Sequence, residues 1–253
     1  MTKSPAAPPA AAAIKVGCAG WSLPRDAWPQ FPADGSHLER YAARLTAVEI
    51  NSSFYRPHQA STYARWADSV PPGFRFSVKL PKAITHERGL RDCGALLDAF
   101  LAQAGGLGAR LGCLLVQLPP SLAFDAGVAR AFLAALRQRH AGPVALEPRH
   151  ASWFTPEANA LLAGAKVGRV LADPVLHEPG RWPGGDPGLV YLRLHGSPRR
   201  YYSAYSAALL HALAVRLAVA AASDANVWCV FDNTASGAAT HNALQLSQEL
   251  ARH

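Results

Sequence analysis

The chain has 253 residues, half of them hydrophobic and 17% charged, enough to bury one barrel-sized core or two small ones. No apolar run is long enough to span a bilayer, so the sequence reads as a soluble protein with no membrane partner. A formal charge of +8 favours anionic partners, nucleic acid among them, but the excess is mostly scattered arginine with no dense basic run.

Residues 1–13 are rich in Ala and Pro and lack the Leu, Val or Phe of a secretory segment. They read as a disordered tail ahead of one domain, 14–253. A short buried strand, Ile14 to Trp21, closes on glycines. A Pro- and Trp-rich loop leads to Ser36, which can cap a helix from His37 with Glu39 three residues later. Leu38, Tyr41, Ala42 and Leu45 follow at helical spacing. The next strand, with apolar Val48 and Ile50 alternating with Glu49 and Asn51, runs into a polar and aromatic turn through Tyr55 and Arg56.

A helix over about Ser61 to Val70 precedes a PPG turn and a strand from Phe74 to Leu80. After a loop containing His86 come a helix over Asp92 to Ala104 and an apolar strand ending at Gln117. A helix over Asp125 to Arg139 leads to a strand from Pro143 to Glu147, and Thr155 and Pro156 open another helix. A strand from Val167 to Leu171 ends in Asp173, and a Pro/Gly-rich loop reaches to Gly188. The strand Leu189 to Leu194 ends in His195, and a basic, tyrosine-rich loop (Pro198 to Tyr205) precedes a helix over Ser206 to Ala222. The strand Asn226 to Phe231 ends in Asp232 and Asn233, and a helix over Ala238 to Leu250 closes the chain.

Roughly eight short apolar strands alternating with seven or eight helices are the pattern of an α/β protein, a TIM-type (β/α)8 barrel of parallel strands in a single domain. An open doubly wound sheet is disfavoured, because GCAGW lacks the third glycine and the following helix of a nucleotide-binding turn. Barrel active sites form at the carboxyl ends of the strands. Those ends carry Trp21, Glu49, Asn51, Lys79, Gln117, Glu147, Arg149, Asp173, Arg193, His195, Asp232 and Asn233. Alternation turns Glu49, Asn51, Lys79, Glu147, Arg149, Tyr191, Arg193 and His195 inward.

Each charge alone is better explained as half of a structural ion pair than as a catalyst, such as Glu147 with Arg193 or Glu49 with Lys79. The ensemble is harder to explain that way, because burying charges is costly unless they are paired or solvated. Two unit charges about 4 Å apart are worth roughly 4 kcal/mol at an effective dielectric of 20. Unpaired cations here would therefore draw in a carboxylate or phosphate. The carboxylates and His195 can alternatively hold a divalent metal, but arginines and a lysine in the same mouth repel a cation, and no metal is expected. No cofactor is implied. Cys18, Cys93, Cys113 and Cys229 lack metal-ligand spacing and read as free thiols in a reducing, cytoplasmic setting. The aromatics Trp21, Trp28, Tyr55, Trp153, Tyr201, Tyr202 and Tyr205 can wall a pocket.

The segments GCAGWS, VEINSSFYRPH, FRFSVKLPKAITHERGL, LEPRHASWF, YLRLHGSPRRYYSAYS and FDNTASGAATHNA, in that order, resemble the YecE-like family, domain of unknown function 72. The resemblance implies a TIM-type barrel and no particular reaction. It marks Gly20, Trp21, Glu49, Asn51, Phe54, Tyr55, Lys79, Thr85, His86, Glu147, Arg149, His150, Trp153, Arg193, His195, Gly196, Tyr205 and Asn233. Asp232, where the family more often has Asn, and Pro148, where an aromatic is usual, depart from it.

Two functions follow as expectations. One is an enzyme on a small anionic substrate: Glu49 or Glu147 as general base, His195 or His86 as acid. Its substrate would be held by Lys79, Arg149 and Arg193, with Trp21, Asn51, Tyr55, Asp173, Tyr205 and Asn233 around it. A metal-assisted phosphodiesterase on nucleic acid is a variant of it. The other is a non-catalytic binder of nucleic acid or a metabolite. Nothing in the sequence fixes the oligomeric state.

Overall fold

The computed structural model describes residues 14–252; the tail expected over 1–13 lies outside them. Ten strands form one sheet: β1 (Lys15–Ala19), β2 (Ala47–Ile50), β3 (Arg75–Lys79), β4 (Leu111–Gln117), β5 (Val144–Glu147), β6 (Val167–Arg169), β7 (Leu171–Asp173), β8 (Gly184–Gly185), β9 (Leu189–Leu194) and β10 (Asn226–Phe231). Their order is β7-β9-β10-β1-β2-β3-β4-β5-β6-β8. Every pairing is parallel except that of the two-residue β8 with β6.

The two ends of this sheet meet in the chain itself. Only Val170 separates β6 from β7, so the single strand expected from the sequence is one extended segment in two halves. Its first half pairs with β5 and its second with β9. Eight positions thus make a nearly closed parallel barrel, as the strand count predicts. Gly168 lies in β6, between its partners Ala145 of β5 and Gly185 of β8. A Cβ there would come 2.8 Å from the Leu189 carbonyl oxygen, so only glycine lets β6 lie this close to β9.

Around the barrel lie α1 (His37–Ala42), α2 (Ser52–Tyr55), α3 (Ala60–Asp68), α4 (Gly94–Ala104), α5 (Ala126–Arg139), α6 (Pro156–Gly164), α7 (Ala207–Ala222) and α8 (Ala238–Leu250). Several start where cap chemistry dictates. Ser36 and Glu39 form a full capping box on α1, and Thr155 caps α6 with Pro156 in its first turn. Asp125 and Ser206 accept from the backbone at the starts of α5 and α7. Residues 52–55, expected as a turn, make one helical turn, and 83–87 make a π-type turn. Among the described residues no α-helix stands between β7 and β9, and none is long and apolar enough to cross a membrane.

The main core lies between barrel and helices, and a second fills the barrel. Inside, Trp228 and Tyr191 stack with ring centroids 5.7 Å apart, filling space left by small residues such as Ala47 and Ala145. Tyr41 adds a device at the β1–β2 seam. Its hydroxyl accepts from Cys18 N (2.7 Å) and donates to the Ala47 carbonyl (2.9 Å). Gly17 makes room, since a Cβ there would meet Ala47 O at 1.9 Å. All four cysteines are free and buried.

Candidate functional site

Strand alternation delivers a polar layer above the apolar filling. Tyr191 is its floor: the phenol donates to Glu49 Oε2 (2.9 Å) and lies 2.8 Å from Ser77 Oγ. Arg193, two residues on, is the hub. Its Nε and Nη2 grip Glu49 in a fork (3.0 and 2.7 Å), Nη1 donates to Glu147 Oε2 (2.5 Å), and Nη2 also reaches Asp232 Oδ2 (3.0 Å). Glu147 Oε1 further accepts from Gln117 (3.2 Å) and from Arg149 Nε (3.0 Å). Three carboxylates from three strands thus close on one guanidinium that is 1% exposed.

The electrostatics follow from this packing. Burial pushes Glu147 toward neutrality, but Arg193, His195 and Arg149 outweigh it and hold the carboxyl well below the usual range. Arg193 is held charged by the carboxylates against its own desolvation. Burial opposes ionisation of Asp232 as well, yet His195 and Arg193 keep it below the ordinary value. Because Asp232 is an anion and only accepts, His195 Nδ1, 3.0 Å from it, carries the hydrogen. The proton that comes and goes is therefore on Nε2, which is buried without a hydrogen-bond partner, 3.6 Å from Glu147 Oε1. Desolvation would lower the pKa of His195, but its bond to Asp232 and the nearby Glu147 raise it overall.

Lys79 stands apart from this saturated cluster. It is the last residue of β3, 8% exposed, and among the described residues no carboxylate lies within 4 Å of its amine. The amine instead sits 4.0 Å over the Phe54 ring. Desolvation first, and then Arg193 and Arg149, bring its pKa down from 10.5 to about 8, with Glu49 and Glu147 resisting. His86 edges onto the same ring (4.9 Å) and bonds Thr85 through Nδ1 (2.8 Å). Desolvation and the charges of Lys79 and Arg149 lower its pKa.

The remaining expected residues divide. Arg149, partly buried, commits only its Nε to Glu147. Asn51 begins α2 with its Oδ1 buried and without a partner among the described residues. Trp21 packs edge-on to Trp66 of α3 (5.1 Å), at the barrel's outer edge, and Tyr55 is 73% exposed. Asn233 pins the loop after β9, donating to Ser203 O (2.9 Å) and Asn242 Oδ1 (3.0 Å). Trp153, named as a pocket wall, is fully buried core.

Asp173 and Tyr205 do not share the mouth. Asp173 pairs in register with outward-facing Leu194, while Ala172 pairs with Arg193. Asp173 Oδ2 accepts from the Tyr205 hydroxyl (2.6 Å), which accepts from Gly196 N (2.8 Å). Both line a separate, largely apolar cavity of about 350 Å³ between the outer barrel wall and α7, where a helix between β7 and β9 would have lain. Arg193, expected to hold an anion, is consumed by carboxylates. Glu49, expected as a base, is 0% exposed with both oxygens engaged.

Gln117 and Asp232, read at strand ends but given no role there, complete the cluster with Ser77. Inward parity along β3 would have found Ser77. Tyr201, on the loop after β9, packs edge-on to His195 with ring centroids 5.8 Å apart.

Comparison with known proteins bears on this geometry. A family model described as "Protein of unknown function DUF72" matches residues 15–253. The UPF0759 protein YecE of Escherichia coli (strain K12) is 33% identical over 106 residues, 42% of this chain and 38% of that protein. YunF of Bacillus subtilis (strain 168) is 29% identical over 151 residues, 56% of this chain and 53% of that one. These matches span less than two thirds of either relative's length. Among solved structures, a DUF72 family protein of Enterococcus faecalis V583 superposes with a TM-score of 0.79 at 23% identity, over 94% of this chain and 96% of that one. One from Thermotoga maritima MSB8 gives 0.75 at 26% identity, over 94% and 99%.

Proposed function

The chain belongs to the DUF72 family, and from the geometry of its barrel mouth we propose that it is an enzyme working by acid–base catalysis on a small anionic substrate, one bearing a carboxylate or phosphate. The observation that carries this reading is Lys79, a nearly buried cation without an ion-pair partner among the described residues, facing the rim that Arg149 shares. A cation kept out of water and left uncompensated attracts an anion strongly. Arg149 retains both Nη groups to receive it.

In this reading the substrate's anionic group lies against Arg149 and Lys79. His195 Nε2 gives or takes the proton, in the form that Asp232 and Glu147 bias. Glu49 and Glu147 are positioning residues that hold Arg193 and, through Glu147, His195 and Arg149. His86 is a second proton carrier at the rim. Four buried free thiols suit a reducing, cytoplasmic setting. A divalent metal fits poorly, because Arg193 fills the space among the three carboxylates.

Calorimetric titration with phosphate and with small carboxylates, in buffers of different ionisation heat, tests the proposal. Bound anion raises the pKa of Lys79, so at pH 8 binding takes up to about half a proton. Arg149→Met should lose the binding, and Lys79→Met both the binding and the uptake. Wild-type binding that neither substitution weakens would refute the reading.

A second reading, non-catalytic binding of nucleic acid, draws on the loop before α7. There Arg199 stacks on Tyr202 (4.0 Å) and Arg200 on Tyr201 (5.6 Å). Salt-dependent binding of a single-stranded oligonucleotide, lost in a Tyr201→Ala/Tyr202→Ala variant, would favour it.

A further inference from the structure

Three features of Lys79 go beyond anion binding. First, its backbone is pinned: it lies at the end of β3, and Ser53 Oγ donates to its main-chain carbonyl oxygen (2.7 Å). Second, its amine rests on an aromatic face and, among the described residues, donates to no acceptor that would hold it as an ammonium. Third, the two arginines nearest in charge, Arg193 and Arg149, are both fixed by Glu147, so the positive field on the amine is permanent. A lysine desolvated beside other cations is the arrangement that makes an amine nucleophilic near neutral pH. By contrast Lys82, three residues on, is exposed and paired with Glu87 (3.1 Å).

We propose that Lys79 is a covalent catalytic residue, forming an imine with a small carbonyl compound whose carboxylate or phosphate is anchored on Arg149. This rests on the anionic-substrate reading above and names its substrate class. The neutral amine attacks the carbonyl carbon, the C=O π pair moves to oxygen, the oxygen takes a proton and the nitrogen gives one up, leaving a neutral carbinolamine. That hydroxyl takes a second proton and leaves as water while the nitrogen lone pair forms the C=N bond. In sum, one carbonyl compound, one neutral amine and one proton give one protonated imine and one water, with no oxidant or reductant. The amine pKa of about 8 supplies roughly a tenth of the lysine as free amine at pH 7 and half at pH 8. The iminium restores a positive charge where the ammonium stood, beside Glu147 and Glu49, which favour it. His195 Nε2 and His86 are the groups at hand to move the protons.

The test is reductive trapping on the full chain. Protein is incubated at pH 7.5 with sodium cyanoborohydride and one of three probes: pyruvate, dihydroxyacetone phosphate or uncharged acetone. Intact mass and peptide mapping follow. The expected result is one adduct per chain on the peptide containing Lys79, formed at least tenfold faster than on other lysines. Faster labelling by pyruvate assigns a carboxylate substrate, and by dihydroxyacetone phosphate a phosphate. Arg149→Met should slow the anionic probes at least tenfold more than acetone, which loses only the part owed to a higher Lys79 pKa. Lys79→Arg, which keeps the charge and cannot form an imine, should bind anions yet take no label. Labelling of Lys79 no faster than surface lysines would overturn the proposal. If anion binding then persists, the acid–base reading stands without the covalent step; if it is absent too, both fall.

Discussion

Replacing Lys79 by Met should stabilise the protein, although it removes a residue at the centre of the mouth. A fall in pKa from 10.5 to about 8 means that the folded state disfavours the ammonium by about 3 kcal/mol relative to the unfolded chain. The residue is 8% exposed, so solvent screens little of that cost. Methionine keeps the stem's length and its contact with Phe54 and gives up only the cation–π attraction, about 0.5–2 kcal/mol. The net expectation at pH 7 is a gain of about 1–3 kcal/mol, at roughly 2–4 °C of melting temperature per kcal/mol.

The sign of the pH dependence makes this sharper. Between pH 8 and 10.5 the unfolded lysine binds a proton that the folded one has released, so wild-type stability rises with pH there relative to the variant. The advantage of Lys79→Met should be full below pH 8 and shrink toward zero by pH 10.5. Urea denaturation of both proteins at pH 6, 7, 8, 9 and 10 reads it directly, and groups common to both cancel in the difference. A variant less stable than wild type at pH 7, by an amount that does not change with pH, would mean that Lys79 is a compensated ammonium, and the case for its reactivity would fall with it.

Other consequences concern the cluster and the barrel seam. Arg193→Met strands three carboxylates and should cost about 3–5 kcal/mol in denaturant melts; Arg193→Lys should recover little, since it cannot fork onto Glu49. His195, with its folded pKa above 6.5, adds stability that is complete below pH 6.5 and disappears as pH rises through the folded value. NMR titration of the imidazole should give that raised pKa, and His195→Gln should flatten the corresponding limb of the stability profile. Tyr41→Phe removes both bonds at the β1–β2 seam, leaving a buried N–H and C=O unserved, and should cost about 2–4 kcal/mol by thermal melting.

Much of this architecture was legible in the chain because parity and capping are local. Alternation alone sends Glu49, Lys79, Glu147 and Arg193 inward, and the Ser36–Glu39 and Thr155–Pro156 signals open α1 and α6. The pairings were less legible. Glu49 was a candidate partner for Lys79 on the adjacent strand, yet it is taken by Arg193 on β9, which reaches across the barrel on a longer arm. Which cation wins is set by distances across the closed ring, and no sequence spacing encodes those. Asp173 shows the opposite case. Its parity with Leu171 marked it as outward-facing, but a count of strand ends ignores parity and put it in the mouth. Tyr201 sits on a loop, where no period announces which way a ring will turn.

The saturated cluster and the unpaired lysine depend on each other. Were Glu49 and Glu147 free of Arg193, their charges would hold Lys79 as an inert ammonium with an ordinary or raised pKa. Arg193 and Arg149 oppose their field, so desolvation is the largest influence left on the lysine. Stripping the arginine out would therefore lose stability and passivate the amine at once. A barrel that wanted only a sound upper layer has simpler means, in leucine and valine, than a guanidinium wrapped by three acids. The cluster is better explained as the device that holds an amine dry, cationic neighbours in place and its pKa near 8, in a mouth whose formal charges otherwise sum to almost nothing.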